Sequence, residues 1–114
     1  MGKQRVSEQD RERAKMSIYE VLQSTNLPCA YSHFRTKQEP PYIVYIGSGQ
    51  DTFEADNTHY YRENTYQIEY YYTTKNEQNE ARIEDALLGA GYLYEKSEDV
   101  YIEDQGVFVI YYNV

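Results

Sequence analysis

Val107, Phe108, Val109, Ile110, Tyr111 and Tyr112 form an unbroken apolar and aromatic run close to the end of the chain. The run is short and rich in β-branched and aromatic residues, so it reads as a strand. A strand with no polar residue has no face to give to water, which marks it as a central strand covered on both sides. Tyr42, Ile43, Val44, Tyr45 and Ile46 make a second such run, stopped by Gly47, Ser48 and Gly49. These two segments set the centre of the fold.

Around them the periodicity changes. Residues 7–24 read as a helix. Ser7, Glu8, Gln9 and Asp10 resemble a capping box with Asp in place of the usual Glu, and Ala14, Ile18, Val21 and Leu22 recur at helical spacing before Pro28. Residues 29–41 read as a connection closed by Pro40 and Pro41. Residues 50–63 are acidic and turn-rich and read as a long loop anchored by Phe53 and Ala55. Residues 64–74 give the clearest strand, with Tyr66, Ile68, Tyr70 and Tyr72 alternating with Thr65, Gln67, Glu69 and Tyr71. A second helix over residues 76–88 carries the stripe Ile83, Ala86, Leu87 and Ala90, with Glu77 and Glu80 in its first turns and a glycine stop at Gly89-Ala90-Gly91. Residues 92–102 and 107–112 form the arms of a hairpin around Glu103, Asp104, Gln105 and Gly106.

The order predicts an α+β fold, α-β-β-α-β-β: a four-stranded, mostly antiparallel sheet with both helices packed on one face. That face buries Ile18, Val21, Leu22, Ile83 and Leu87. The opposite face is left with tyrosines that nothing in the chain covers.

Fifteen of the 114 residues are tyrosine and none is tryptophan. Neighbours on a strand point to opposite faces, so Tyr70-Tyr71-Tyr72, Tyr60-Tyr61 and Tyr111-Tyr112 put rings on both. Half of the tyrosines serve the core as cross-strand partners. The excess points to a protein interface, where tyrosine is enriched. The candidate interface residues are Tyr60, Tyr61, Tyr71 and Tyr111, with Asp51, Glu54 and Asp56 of the acidic loop.

The length fits one domain, read as a polar N-terminal extension over residues 1–15 followed by an α+β domain over 16–114. Met16 offers an alternative start. Eleven basic residues face nineteen acidic ones, a net charge of −8. Residues 1–15 carry +2 of this, so the remainder carries −10. Such a balance disfavours nucleic acid and anionic membrane as partners. No apolar run approaches the roughly 18–20 residues of a membrane span, and no signal-peptide pattern opens the chain. The single cysteine, Cys29, forms no intramolecular disulfide and fits an intracellular protein.

Chemistry finds little support. Cys29 and His33 lie four apart, but no second pair completes a zinc site. Neither Asp51, Glu54 and Asp56 nor Glu98, Asp99, Glu103 and Asp104 has the spacing of a calcium loop. Glu84 and Asp85 read as part of a solvated helix face. There is no nucleophile elbow, P-loop or dinucleotide fingerprint. The expectation is a protein without catalysis, cofactor or metal.

The layout resembles the small tail-completion proteins of long-tailed bacteriophages and prophages, also called tail-terminator or head–tail joining proteins. The residues that carry the resemblance are Met16-Ser17-Ile18-Tyr19-Glu20-Val21-Leu22, Pro41-Tyr42-Ile43-Val44-Tyr45 and Tyr66-Gln67-Ile68-Glu69-Tyr70-Tyr71. To these add Ile83-Glu84-Asp85-Ala86-Leu87 and the closing Val107-Phe108-Val109-Ile110-Tyr111-Tyr112. The resemblance covers most of the chain from Met16 onward. It implies a non-enzymatic, ring-forming subunit that contacts tail-tube and head-connector proteins, in the bacterial host cytoplasm during assembly and then in the virion. Two other readings stand beside it. One is an acidic inhibitor or DNA mimic, motivated by the −10 balance. The other is a small enzyme holding a metal at Asp51, Glu54 and Asp56.

Overall fold

The computed structural model describes residues 16–55 and 59–114. Helix α1 spans Ile18–Gln23 and strand β1 Cys29–Tyr31. Strands β2 (Tyr42–Ala55) and β3 (His59–Tyr72) follow, then helix α2 (Glu77–Gly89) and the strands β4 (Glu95–Lys96), β5 (Val100–Ile102) and β6 (Val107–Asn113). The sheet runs β1-β2-β3-β6, and β4 and β5 share the outer edge of β6. Strand β1 runs parallel to β2; the other pairings are antiparallel.

Each helix is bounded by residues suited to its ends. At α1 the Glu20 backbone amide donates to Ser17 Oγ (3.2 Å), and the Ser17 amide donates to Glu20 Oε1 (3.1 Å). This reciprocal cap starts the helix at Ile18. At α2 Asn76 Oδ1 accepts from the amides of Gln78 and Asn79. The helix ends where Gly91 turns to φ +90°. That turn lets the Tyr92 amide reach the Leu87 carbonyl (2.9 Å) and the Gly91 amide the Leu88 carbonyl (3.0 Å).

Both helices feed one core. Ile18, Val21 and Leu22 of α1 and Ile83 and Leu87 of α2 pack with Ile43, Tyr45, Ile68, Tyr70, Tyr72, Ile110, Tyr112 and Val114. The strand registers explain the selection: Ile43 lies opposite Tyr70, Tyr70 opposite Ile110, and Ile68 opposite both Tyr45 and Tyr112. One face of three adjacent strands is thereby apolar.

The buried phenols need partners for their hydroxyls. Tyr70 OH accepts from Asn79 Nδ2 (3.2 Å), and Tyr112 OH donates to Glu84 Oε2 (2.8 Å). Tyr72 OH donates to Asp99. The acids belong to a chain of ion pairs that ties α2 to the segment leading into β5. Lys75 Nζ lies 2.7 Å from Glu80 and 2.8 Å from Asp99; Lys96 Nζ lies 2.9 Å from Glu80 and 2.7 Å from Glu84. Glu80 is 3 % exposed, so its charge is tolerated only because both lysines reach it.

Four expectations are corrected. The sheet is mixed and six-stranded, because residues 29–31 form a parallel edge strand and the arm before β6 splits into β4 and β5. The helix read over residues 7–24 does not continue through Ser17, whose backbone is extended (φ −63°, ψ 156°); its stretch before Met16 lies outside the described residues. Of the loop read over residues 50–63, residues 50–55 belong to β2 and residues 59–63 to β3, and residues 56–58 lie outside the described residues. The face opposite the helices is partly covered by the chain itself, as described below.

Burial pushes the phenols of Tyr42, Tyr45, Tyr70, Tyr71, Tyr72, Tyr92, Tyr94 and Tyr112 above the ordinary tyrosine value. A group whose pKa is raised on folding stabilises the fold below its unfolded pKa and loses that contribution as pH climbs past it. Stability should hold up to about pH 10 and fall beyond it. The tyrosinate absorbance of these eight phenols should then appear in one step with the loss of far-ultraviolet circular dichroism. Smooth ionisation of most phenols in a chain that stays folded would contradict this account. Replacing Glu80 by Gln leaves Lys75 and Lys96 without their shared charge, and should lower the urea unfolding free energy by about 2 kcal/mol.

Candidate functional site

The longest strands of the protein outrun the sheet they belong to. Strand β1 flanks β2 only as far as the Tyr31–Tyr45 pair. Strand β6 flanks β3 only as far as the Asn113–Gln67 pair, followed by the mutual backbone bonds of Val114 and Tyr66. Residues 48–55 and 59–65 therefore continue as a two-stranded ribbon with no third strand beside it among the described residues. At a rise of about 3.3 Å per residue, eight residues carry the ribbon roughly 26 Å beyond the sheet.

A β-bulge sits at its base. The register slips between Gly47 and Gly49, and Gly49 adopts φ +141°, a conformation that side chains oppose. Ser48 Oγ donates to Thr65 Oγ1 (2.9 Å) and Gln50 Nε2 to Asn64 Oδ1 (3.0 Å), pinning the two strands together just past the bulge. Beyond this point Asp51 pairs with Glu63, Thr52 with Arg62, Phe53 with Tyr61, and Glu54 with Tyr60. Phe53 and Tyr61 stack with centroids 5.9 Å apart. Alternation puts Asp51, Glu63, Phe53 and Tyr61 on one face of the ribbon and Glu54 on the other. Of the residues singled out in the acidic segment, Asp51, Glu54, Tyr60 and Tyr61 lie along this ribbon; Asp56 lies outside the described residues.

Tyr71 and Tyr111 are elsewhere, on the sheet face opposite the helices. Tyr71 stacks on its cross-strand partner Tyr42 (5.1 Å), and its hydroxyl donates to Glu69 Oε1 (2.7 Å). Burial, reinforced by that carboxylate, pushes its phenol far up. Tyr111 is the cross-strand partner of Glu69 and so lies on the same face. The chain also reaches over this face. Phe34 meets Tyr42 edge-on at 5.3 Å, and the segment over residues 32–40 walls a cavity of about 530 Å³ floored by Tyr42, Val44 and Tyr71. Val44 and Val109 are buried on the same face, so it is only partly open. Sequence reasoning missed this cavity; the signal was Phe34, a large apolar residue in the otherwise polar stretch 32–39.

Burial pushes the Cys29 thiol up to about 11, which keeps it protonated near neutral pH and a poor nucleophile. Asp51 and Glu54 face apart on the ribbon. Among the described residues no group of three or more His, Cys, Asp or Glu side chains gathers to hold a metal, and no helix is long and apolar enough to cross a membrane.

Forcing a β-branched residue into the Gly49 conformation stores about 1–3 kcal/mol of strain, which opening the ribbon can release. Gly49→Val should therefore speed hydrogen exchange at ribbon amides about tenfold or more while leaving the urea midpoint in place. A shifted midpoint with uniform loss of protection would show instead that ribbon and core open together.

Comparison with protein-family models, with curated proteins and with solved structures finds no match to this chain.

Proposed function

We propose that this protein is a structural assembly subunit that forms an oligomeric ring, as the resemblance to phage tail-completion proteins implies. The observation that carries the reading is the projecting ribbon. A two-stranded ribbon gains little stability of its own in water, and strand edges are surfaces suited to pairing. A ribbon of this length, with a stacked aromatic pair near its end, is suited to being covered by another protein surface. The tyrosine-bearing sheet face adds a second contact area.

In this reading the subunit works in the bacterial host cytoplasm during assembly and remains in the virion, between tail-tube and head-connector proteins. No catalytic step, cofactor or metal enters. The acidic-inhibitor alternative asks for carboxylates in regular rows. The ribbon supports it less well, since Phe53 and Tyr61 interrupt the acids and Glu54 is turned away from Asp51.

Light scattering over a range of concentrations should find one discrete oligomer, and ribbon amides should gain hydrogen-exchange protection in the oligomer relative to the diluted protomer. A protein that stays at protomer mass throughout, with unchanged ribbon protection and no partner in tail extracts, would overturn the proposal.

A further inference from the structure

The two outer edges of the sheet are complementary to each other. One edge is β1, the other β5, each three residues long. Each presents a tyrosine that is the most exposed kind of apolar residue in the structure: Tyr31 is 53 % and Tyr101 54 % exposed, the two highest values among the exposed large apolar side chains. Both rings are held in place. Tyr31 meets Tyr45 edge-on at 5.0 Å and Tyr101 leans on Phe108 at 4.9 Å. Tyr31 pairs in register with Tyr45, and Tyr101 with Phe108, so both lie on the helix side of the sheet. Short edge strands by themselves are a way to discourage pairing, usually with lysine or proline at the edge. Here the edges carry fixed aromatic rings instead.

Charge distinguishes the two edges. The segment from β1 to the start of β2, residues 29–41, holds Arg35 and Lys37 against Glu39. The segment around β5, residues 97–106, holds Glu98, Asp99, Glu103 and Asp104 and no cation. Direction also agrees. Strands β1 and β2 run one way, β3 the other, β6 back, and β5 opposite to β6. The β1 edge of one copy would therefore meet the β5 edge of the next antiparallel, with both helix layers on the same side.

We infer that the ring contact is heterologous: the β1 edge, with Tyr31 and Arg35, docks on the β5 edge, with Tyr101 and Glu103, of a second copy of this chain. The inference rests on the ring reading and specifies its interface. An edge-to-edge contact between unlike surfaces propagates in one direction and forms a cyclic ring where the rotation closes, whereas a self-complementary contact stops at a dimer.

Mixing single-edge variants tests this directly. Tyr31→Ser spoils only the β1 edge and Tyr101→Ser only the β5 edge. Each variant alone should scatter light at protomer mass. An equimolar mixture retains one intact edge of each kind and should reach twice that mass and no more. A pair of charge variants gives an independent arm on exposed positions. Arg35→Glu with Lys37→Glu, and Glu103→Lys with Asp104→Lys, should each weaken assembly, and all four changes in one chain should restore it. If the unmodified protein is oligomeric but the tyrosine variants keep its mass, or their mixture stays at protomer mass, the contact lies elsewhere and the ring reading survives. Protomer mass for the unmodified protein at every concentration would remove both.

Discussion

Five residues of β3, from Gln67 to Tyr71, have a strand hydrogen-bonded on each side, and the rest of the fold is arranged around them. Their alternation decides which face each flanking strand turns to the helices. Ile68, Tyr70 and Tyr72 point toward α1 and α2, so their partners Ile43, Tyr45, Ile110 and Tyr112 must as well. A one-residue slip of either neighbour would exchange its buried and half-buried sets, which is why the register is firmly held here. Where β3 loses a flanking strand, at Tyr66, that constraint ends and the ribbon begins.

Filling a core with tyrosine instead of leucine has a consequence for the helices. Each buried ring arrives with a hydroxyl that must be satisfied, and in Tyr70, Tyr72 and Tyr112 the partners come from α2 and the turn before β5. The acids that accept from Tyr72 and Tyr112 are in turn neutralised by Lys75 and Lys96, which meet at Glu80. One polar chain thus links the interior rings to the lysines at the surface. It fixes the position of α2 along the sheet, which apolar contacts alone leave adjustable.

Burial leaves periodicity in a sequence, and the parts legible in this one are the parts that are buried. Helix α2 could be read from Ile83, Ala86, Leu87 and Ala90, and its end from Gly91, because both the stripe and the cap reflect contacts with a core. The central strands were equally plain. The ribbon was not: residues 50–63 alternate in no hydrophobic pattern, and Gly47-Ser48-Gly49 imitates a strand stop while acting as a bulge. Strand β1 was hidden by its length and by the prolines after it. The cap at Ser17 and Glu20 is a better match to the capping pattern than Ser7 and Asp10, and the longer apolar stripe drew attention away from it. Of the candidate interface residues, Tyr71 and Tyr111 were placed on the intended face. Asp51, Glu54 and Tyr61 were grouped as a loop and belong to a strand pair.

The bulge at Gly47–Gly49 separates two kinds of sequence freedom. Residues on the core side are bound to one another by packing, so a change in one is felt by many. Among the described residues the core cluster takes no side chain from beyond the bulge, and substitutions outside a core bear less on stability. If the ribbon is the contact surface proposed above, its residues can change one by one without first rebuilding the body that carries it.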